Sequence, residues 1–205
     1  MRLLSSCLLL ALCLTAFAEE PYSFRIMTSF KDEGKSFAGM GMSVPVKVKG
    51  KKLILTALHV VMNKNKEADE ILVDYPDGWI RCRIVKLDLG YDLCLLEPRM
   101  PPPFVVDVAK SEPKPGDKVV NPNFYQTSKM VMEQGKVDEN RDKLWDGKVD
   151  HFRHGSSGSP MIDKSGKLVG LGVAGTTEDN GVTLLKAICV GPKKIREFFD
   201  RSDEK

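Results

Sequence analysis

The sequence predicts an all-β protein built from two β-rich halves, a proline-rich linker between them and one short C-terminal helix. Three observations carry this. Apolar and polar residues alternate with period two from Val44 onward; six prolines crowd residues 98–115; and apolar residues take up helical spacing only after Pro192. A chain of 205 residues buries roughly 70% of its unfolded surface, enough for one domain or two tightly packed halves.

The first eighteen residues, MRLLSSCLLLALCLTAFA, start basic at Arg2, continue through a Leu-rich stretch and end in Ala16-Phe17-Ala18. That is the pattern of a secretory signal, and the stretch is too short to span a membrane comfortably. Cleavage is expected after Ala18, leaving residues 19–205 in the periplasm or outside the cell. Leu12 before Cys13 is too large for a lipidation site.

In the first half, Val44, Val46 and Val48 face one way while Pro45, Lys47 and Lys49 face the other. Pro45 cannot donate to a ladder, so this strand is expected at an edge. Gly50-Lys51-Lys52 turns the chain into Leu53-Ile54-Leu55-Thr56, a hairpin. Strands follow at Ile71–Tyr75, Trp79–Leu87 after a Pro76-Asp77-Gly78 turn, and Leu93–Glu97. The linker, PRMPPPFVVDVAKSEPKPGD, cannot sustain a continuous ladder. In the second half, strands are expected at Lys118–Val120, Lys129–Val137, Pro160–Ile162, Leu168–Val173 and Thr183–Cys189. The closing GPKKIREFF has Pro192 at a helix start and Ile195, Phe198 and Phe199 on one face.

Charge narrows the range of functions. The formal charge is +3, from 31 Lys and Arg against 28 Asp and Glu, and the two signs alternate along the chain. There is no concentrated basic footprint, which argues against nucleic acid as a partner. Of five cysteines, Cys7 and Cys13 leave with the signal. Cys82, Cys94 and Cys189 lie in apolar strand-like runs, an odd set best read as free thiols. No second transmembrane candidate is present.

Chemistry enters through HFRHGSSGSPMID, residues 151–163. Glycine and serine gather in ordinary turns as readily as around a nucleophile, so the stretch alone is ambiguous. His59, in TALHVV, is the only histidine in the first half, and Asp92, in YDLCLL, sits at the mouth of an apolar strand. A carboxylate there is costly unless paired. With Ser157, inside GSSGSP, they supply a base, an acid and a hydroxyl from two halves of the chain, as a nucleophilic triad requires.

TALHVV, YDLCLL and GSSGSP together resemble the three catalytic motifs of trypsin-like serine peptidases, in that family's His, Asp, Ser order. PKPGDKVVNPNF, QGKV, SGKLVGLGVAG and AICVGPKKIREFF are similar to the HtrA-like protease domain, so that the resemblance covers about residues 38–201. It is a resemblance to that domain without the PDZ domains of the full HtrA architecture. It implies a chymotrypsin-like double barrel: two six-stranded antiparallel β-barrels, at about residues 24–97 and 117–190, a linker at about 98–116 and a helix at about 192–201.

The resemblance further implies that Ser157 is the nucleophile, His59 the general base and then acid, and Asp92 the orienter of the imidazole. Asp88 is the rival orienter. The backbone N–H groups of Gly155 and Ser157 would form the oxyanion hole, with Ser156 and Ser159 structural. His151 would lie at the base of the specificity pocket, with Val173, Ala174 and Gly175 as its wall. His151 there favours acidic or amide side chains, whereas Phe152 beside it favours apolar ones. His151 and His154 read equally as solvent-facing loop histidines. In digestive-type members an acidic residue before the nucleophile pairs with a freed N-terminus; here Ser156 holds that position.

These implications describe a serine endopeptidase acting on polypeptides, with no metal, no cofactor and no stable membrane insertion after signal removal. A rival from another class is a protease-fold module that binds partners along its cleft without catalysis.

Overall fold

The computed structural model describes residues 22–32, 34–124, 129–141, 144–150, 152–177 and 184–202. In the first half, β1 (Phe24–Asp32), β2 (Lys35–Val48) and β3 (Lys51–Ala57) lead into a one-turn helix, α1 (Leu58–Val61), and a small hairpin, β4 (Met62–Asn63) with β5 (Lys66–Glu67). β6 (Glu70–Tyr75), β7 (Gly78–Asp88) and β8 (Leu93–Pro98) complete it. The second half contains β9 (Lys118–Asn123), β10 (Val131–Arg141), β11 (Leu144–Val149), β12 (Pro160–Ile162), β13 (Leu168–Thr177) and β14 (Leu184–Val190), and helix α2 (Pro192–Asp200) follows.

Each half closes on itself as a six-stranded antiparallel barrel, in the orders β1-β2-β3-β8-β7-β6 and β10-β11-β14-β13-β12-β9. The first closes where β1 meets β6 with Ile26 opposite Val73, and the second where Ile162 of β12 meets Val120 of β9. Each barrel closes as a whole, yet Pro45 holds the edge position expected of it, because its stretch of β2 has a strand on one side only. β2 parts from β1 after Ser43, and from Val44 to Val48 it pairs only with β3. The Pro45 carbonyl accepts from the Val106 N–H of the linker at 2.8 Å, so the linker meets the proline where a strand would need its missing donor. The β2–β3 turn falls on Lys49 and Gly50, with φ of 47° and 84°, one residue earlier than the sequence suggested. Two successive positive φ values mark the twisted turn that suits a two-residue hairpin.

The runs LILT and LCLL are apolar without alternation because both faces of their strands are buried. Ile54, Cys94 and Leu96 fill the first barrel with Phe24, Ile26 and Val73. Their neighbours Leu53, Leu55, Leu93 and Leu95 face outward into a second core shared with Leu168, Leu171 and Val190 of the other barrel and with Ile195, Phe198 and Phe199 of α2. Each such side chain contributes roughly 1.5–3 kcal/mol on burial, so this shared core binds the barrels to each other and to the helix. The second barrel is filled around Trp145, which is 0% exposed and donates from Nε1 to the Val169 carbonyl at 2.9 Å. A Cβ at Gly147 or Gly170 would come within 2.6 Å of the indole, so these glycines make the space it occupies. Cys82, Cys94 and Cys189 are free thiols, the last two buried and Cys82 partly exposed.

Candidate active site

His59 follows β3 on the single turn of α1, where the chain bends away from the barrel. Its position is set by Asp92 in three ways. The Asp92 carbonyl accepts from Leu58 N at 2.9 Å, Oδ1 accepts from His59 N at 2.8 Å, and Oδ2 lies 2.5 Å from His59 Nδ1. Asp92 reaches all three with φ of 56°, a left-handed conformation that Asp tolerates better than most residues. With Nδ1–H donated to Oδ2, the neutral imidazole carries its lone pair on Nε2, which is what a base needs. The imidazole is 48% exposed and the carboxylate 30%, so the pair opens to the surface.

The serine loop consists of two linked turns. Ser156 N bonds Arg153 O at 2.9 Å with Gly155 third in the turn at φ 93°; Ser159 N bonds Ser156 O at 2.9 Å with Gly158 third at φ 85°. This is the pattern of type II turns, whose third position requires positive φ. The amides of Ser156, Gly158 and Ser159 are used, Gly158 N bonding the Gly172 carbonyl at 2.7 Å. The N–H groups of Gly155 and Ser157 have no hydrogen-bond partner among the described residues. In a type I turn the central peptide is roughly reversed, which would turn Gly155 N–H to the other side.

The hydroxyls of the three serines are sorted by burial. Ser156 is 1% exposed, and its Oγ accepts from Asn123 Nδ2 at 2.6 Å and Arg153 N at 3.2 Å. Ser159 is 0% exposed, and its Oγ accepts from Asn121 Nδ2 at 2.8 Å. Ser157 between them is partly exposed. Its carbonyl accepts from Met42 N of β2 at 2.8 Å, and Thr56 Oγ1 donates to the Met42 carbonyl at 2.7 Å. Gly158 lies so close to β2 and β3 that a Cβ would stand 2.1 Å from Met42 O and 2.5 Å from Thr56 Oγ1. A loop of the second barrel is thereby docked onto the first at Met42 and Thr56, the latter three positions before His59 in the chain.

Asp88 is placed elsewhere. Its Oδ1 caps the amides of Gly90 and Tyr91, and its Oδ2 faces Lys194 and Arg201 at the end of the chain. Of the other residues expected at the site, His151 lies outside the described residues. Phe152 is 3% exposed in the core of the second barrel, its ring against Gly172. Val173, Ala174 and Gly175 run along β13, with Ala174 exposed and the other two partly so. His154 is exposed. Sequence reasoning did not single out Met42, Thr56, Asn121 or Asn123, the groups that fix the serine loop. The one local signal was Asn121-Pro122-Asn123, two amides in an otherwise apolar strand.

The family model of the trypsin-like peptidase domain matches residues 39–171, which include His59, Asp92 and Ser157. The chain belongs to the trypsin-like peptidase family. No curated protein matches it in sequence. Among solved structures, the active form of the Rv3671c protease from M. tuberculosis is similar with a TM-score of 0.71 and 18% identity, over 87% of this chain and 79% of that one. The inactive form of the same protease gives 0.66 and 18%, over 87% of each chain. At this identity the likeness is one of fold, and the trypsin-like double barrel is what the two proteins share. Among the described residues no helix is long and apolar enough to cross a membrane.

Proposed function

We propose that the chain is a serine endopeptidase, exported to the periplasm or the extracellular space after cleavage behind Ala18, with residues 19–205 forming the protease domain. Ser157 Oγ attacks the carbonyl carbon of a peptide bond while His59 Nε2 takes its proton. The oxyanion of the tetrahedral intermediate receives the N–H groups of Gly155 and Ser157. His59 returns the proton to the leaving amine, giving an acyl-enzyme on Ser157. Water, deprotonated by the same imidazole, then releases the acid. Asp92 holds the Nδ1–H tautomer and stabilises the imidazolium in each half-reaction. His151, Val173, Ala174 and Gly175 are assigned to the substrate pocket, with Phe152 beside them.

The observation that carries this reading is the paired hold of Asp92 on His59, by Oδ1 on the backbone and Oδ2 on the ring. A structural histidine needs neither to be half exposed nor to have its tautomer fixed by a carboxylate. The test is hydrolysis of a mixed peptide library, read by mass spectrometry of new termini. The wild-type protein is expected to cut within chains, and Ser157→Ala to leave the library intact. A library untouched by the wild type would favour a module that only binds.

A further inference from the structure

The turn that delivers Asp92 is gripped from the far end of the chain. Asp88 ends β7, four residues before Asp92, and its side chain is 6% exposed. Oδ1 accepts from Gly90 N and Tyr91 N, each at 3.0 Å, which fixes the turn from within. Oδ2 stands 3.4 Å from Lys194 Nζ of α2 and 3.2 Å from Arg201 Nη1 just beyond it. Each cation makes a second contact, Lys194 with the turn itself and Arg201 with the end of β7. Lys194 Nζ sits 4.2 Å from the ring centre of Tyr91, and Arg201 Nη2 donates to the Leu87 carbonyl at 3.0 Å. Lys86 Nζ donates back to the Arg201 carbonyl.

A carboxylate this buried is stable only when paired, so its cations are structural requirements and not surface decoration. Burial pushes the Asp88 carboxyl upward, but the Tyr91 amide, Lys194 and Arg201 outweigh it and hold the group below the ordinary carboxylate range. Directly after Tyr91 comes Asp92 in its left-handed conformation, φ 56°. If the turn relaxed, Asp92 would rotate toward an ordinary conformation and draw both carboxylate oxygens away from His59.

We infer that Asp88, Lys194 and Arg201 are positioning residues for the His59–Asp92 pair, so that helix α2 sets the geometry of the site from the opposite end of the sequence. The inference rests on the proposed role of that pair.

The experiment compares Asp88→Ala, Asp88→Asn and the double variant Lys194→Met/Arg201→Gln with the wild-type protein. Two readouts are followed: peptide hydrolysis, and the downfield proton resonance of the His59 Nδ1–H. Asp88→Ala is expected to lose roughly 10- to 100-fold in kcat with KM little changed, the scale of a small misplacement of a catalytic group. Asp88→Asn keeps the oxygen that caps Gly90 and Tyr91 and should recover part of the loss. The double variant, which leaves the turn's own residues intact, should fall between and carries the test if Asp88→Ala does not fold. In each the resonance should move upfield or broaden. Arg196→Gln is the control, because Arg196 ties α2 to the carbonyls of Ala109 and Lys110 in the linker and touches no part of the turn. It should weaken the contact of the helix with the linker, leave the grip of Lys194 and Arg201 on Asp88 in place and change neither readout. Folded Asp88 and double variants with wild-type kcat and an unmoved resonance would overturn the inference, as would an equal loss in Arg196→Gln. If the wild type hydrolysed nothing, the proposed activity would fall while the resonance still decided the positioning role.

Discussion

Ser156, Ser157 and Ser159 share one loop, yet their surroundings assign them different tasks. Ser156 and Ser159 are held by Asn123 and Asn121, and their hydroxyls face the protein. Replacing either by alanine leaves a buried amide donor unpaired, which costs about 1–3 kcal/mol. Denaturant midpoints of Ser156→Ala and Ser159→Ala are therefore expected to fall while most hydrolytic activity remains. Asp92→Asn should behave in the opposite way. It keeps the size of the side chain but replaces an acceptor with an amide, and turnover should drop by up to about ten-thousandfold, the scale known for a triad acid so changed. Kinetics with a single peptide substrate check this; an Asp92→Asn enzyme within tenfold of wild type would remove Asp92 from the proposed triad. The free thiols add a pH test. Burial pushes Cys82 up to about 12 from an ordinary 9.0, so between these values the unfolded thiol ionises first and stability must fall as pH rises. The denaturation midpoint at pH 10 should lie below that at pH 8, by less in Cys82→Ala. The motifs that carry the proposed reactive residues can be read in the sequence because they are short and local. Their supports cannot, since Asn121 and Asn123 reach Ser159 and Ser156 across more than thirty positions.

Two glycines of the serine loop separate two kinds of constraint. At Gly155 a Cβ would meet nothing within 4 Å, so alanine there suffers only from φ 93° and from the pull toward a type I turn. Gly155→Ala should fold with a penalty of about 1–2 kcal/mol, yet lose roughly 10²- to 10³-fold in kcat because its N–H turns away from the oxyanion. Gly158→Ala meets both the left-handed φ and the Met42 carbonyl at 2.1 Å, and is expected to be destabilised to the point of poor folding. Thermal melts beside kinetics distinguish the two. Similar losses of both properties in both variants would contradict the turn argument. Strand reading from sequence succeeded where burial was simple: β3 and β8 are apolar on both faces, and α2 shows Ile195, Phe198 and Phe199 after its proline. It missed β1, whose inward positions Phe24, Ile26, Thr28 and Phe30 include a polar threonine. That Thr28 hydroxyl is satisfied by the Val60 carbonyl at 3.1 Å, a contact no local pattern reveals. It also missed β11, where Asp146 is buried beside Arg141 and Gly147 makes room for Trp145.

At the scale of the molecule, alternation announces strands but not how they close, because closure depends on pairings such as Ile26 with Val73, far apart in the chain. The resemblance in the three motifs supplied the double barrel that periodicity could not. The same scale decides how the site is prepared. In place of an acid that would await a freed ammonium group, Ser156 is a buried neutral hydroxyl already bonded to Asn123. The protein should therefore need no propeptide cleavage, and a short tag ahead of residue 19 should leave its activity unchanged after removal. Activity arising only on release of a new N-terminus would refute this. The central claim is that one serine of the three is activated by His59 and Asp92. Its most direct measurement is labelling with a fluorophosphonate, which reacts only with an activated hydroxyl, followed by mass spectrometry of the modified peptide. The account predicts a single adduct, on Ser157, absent in Ser157→Ala and in His59→Ala. No adduct on the folded wild-type protein, or an adduct on another residue, would contradict it.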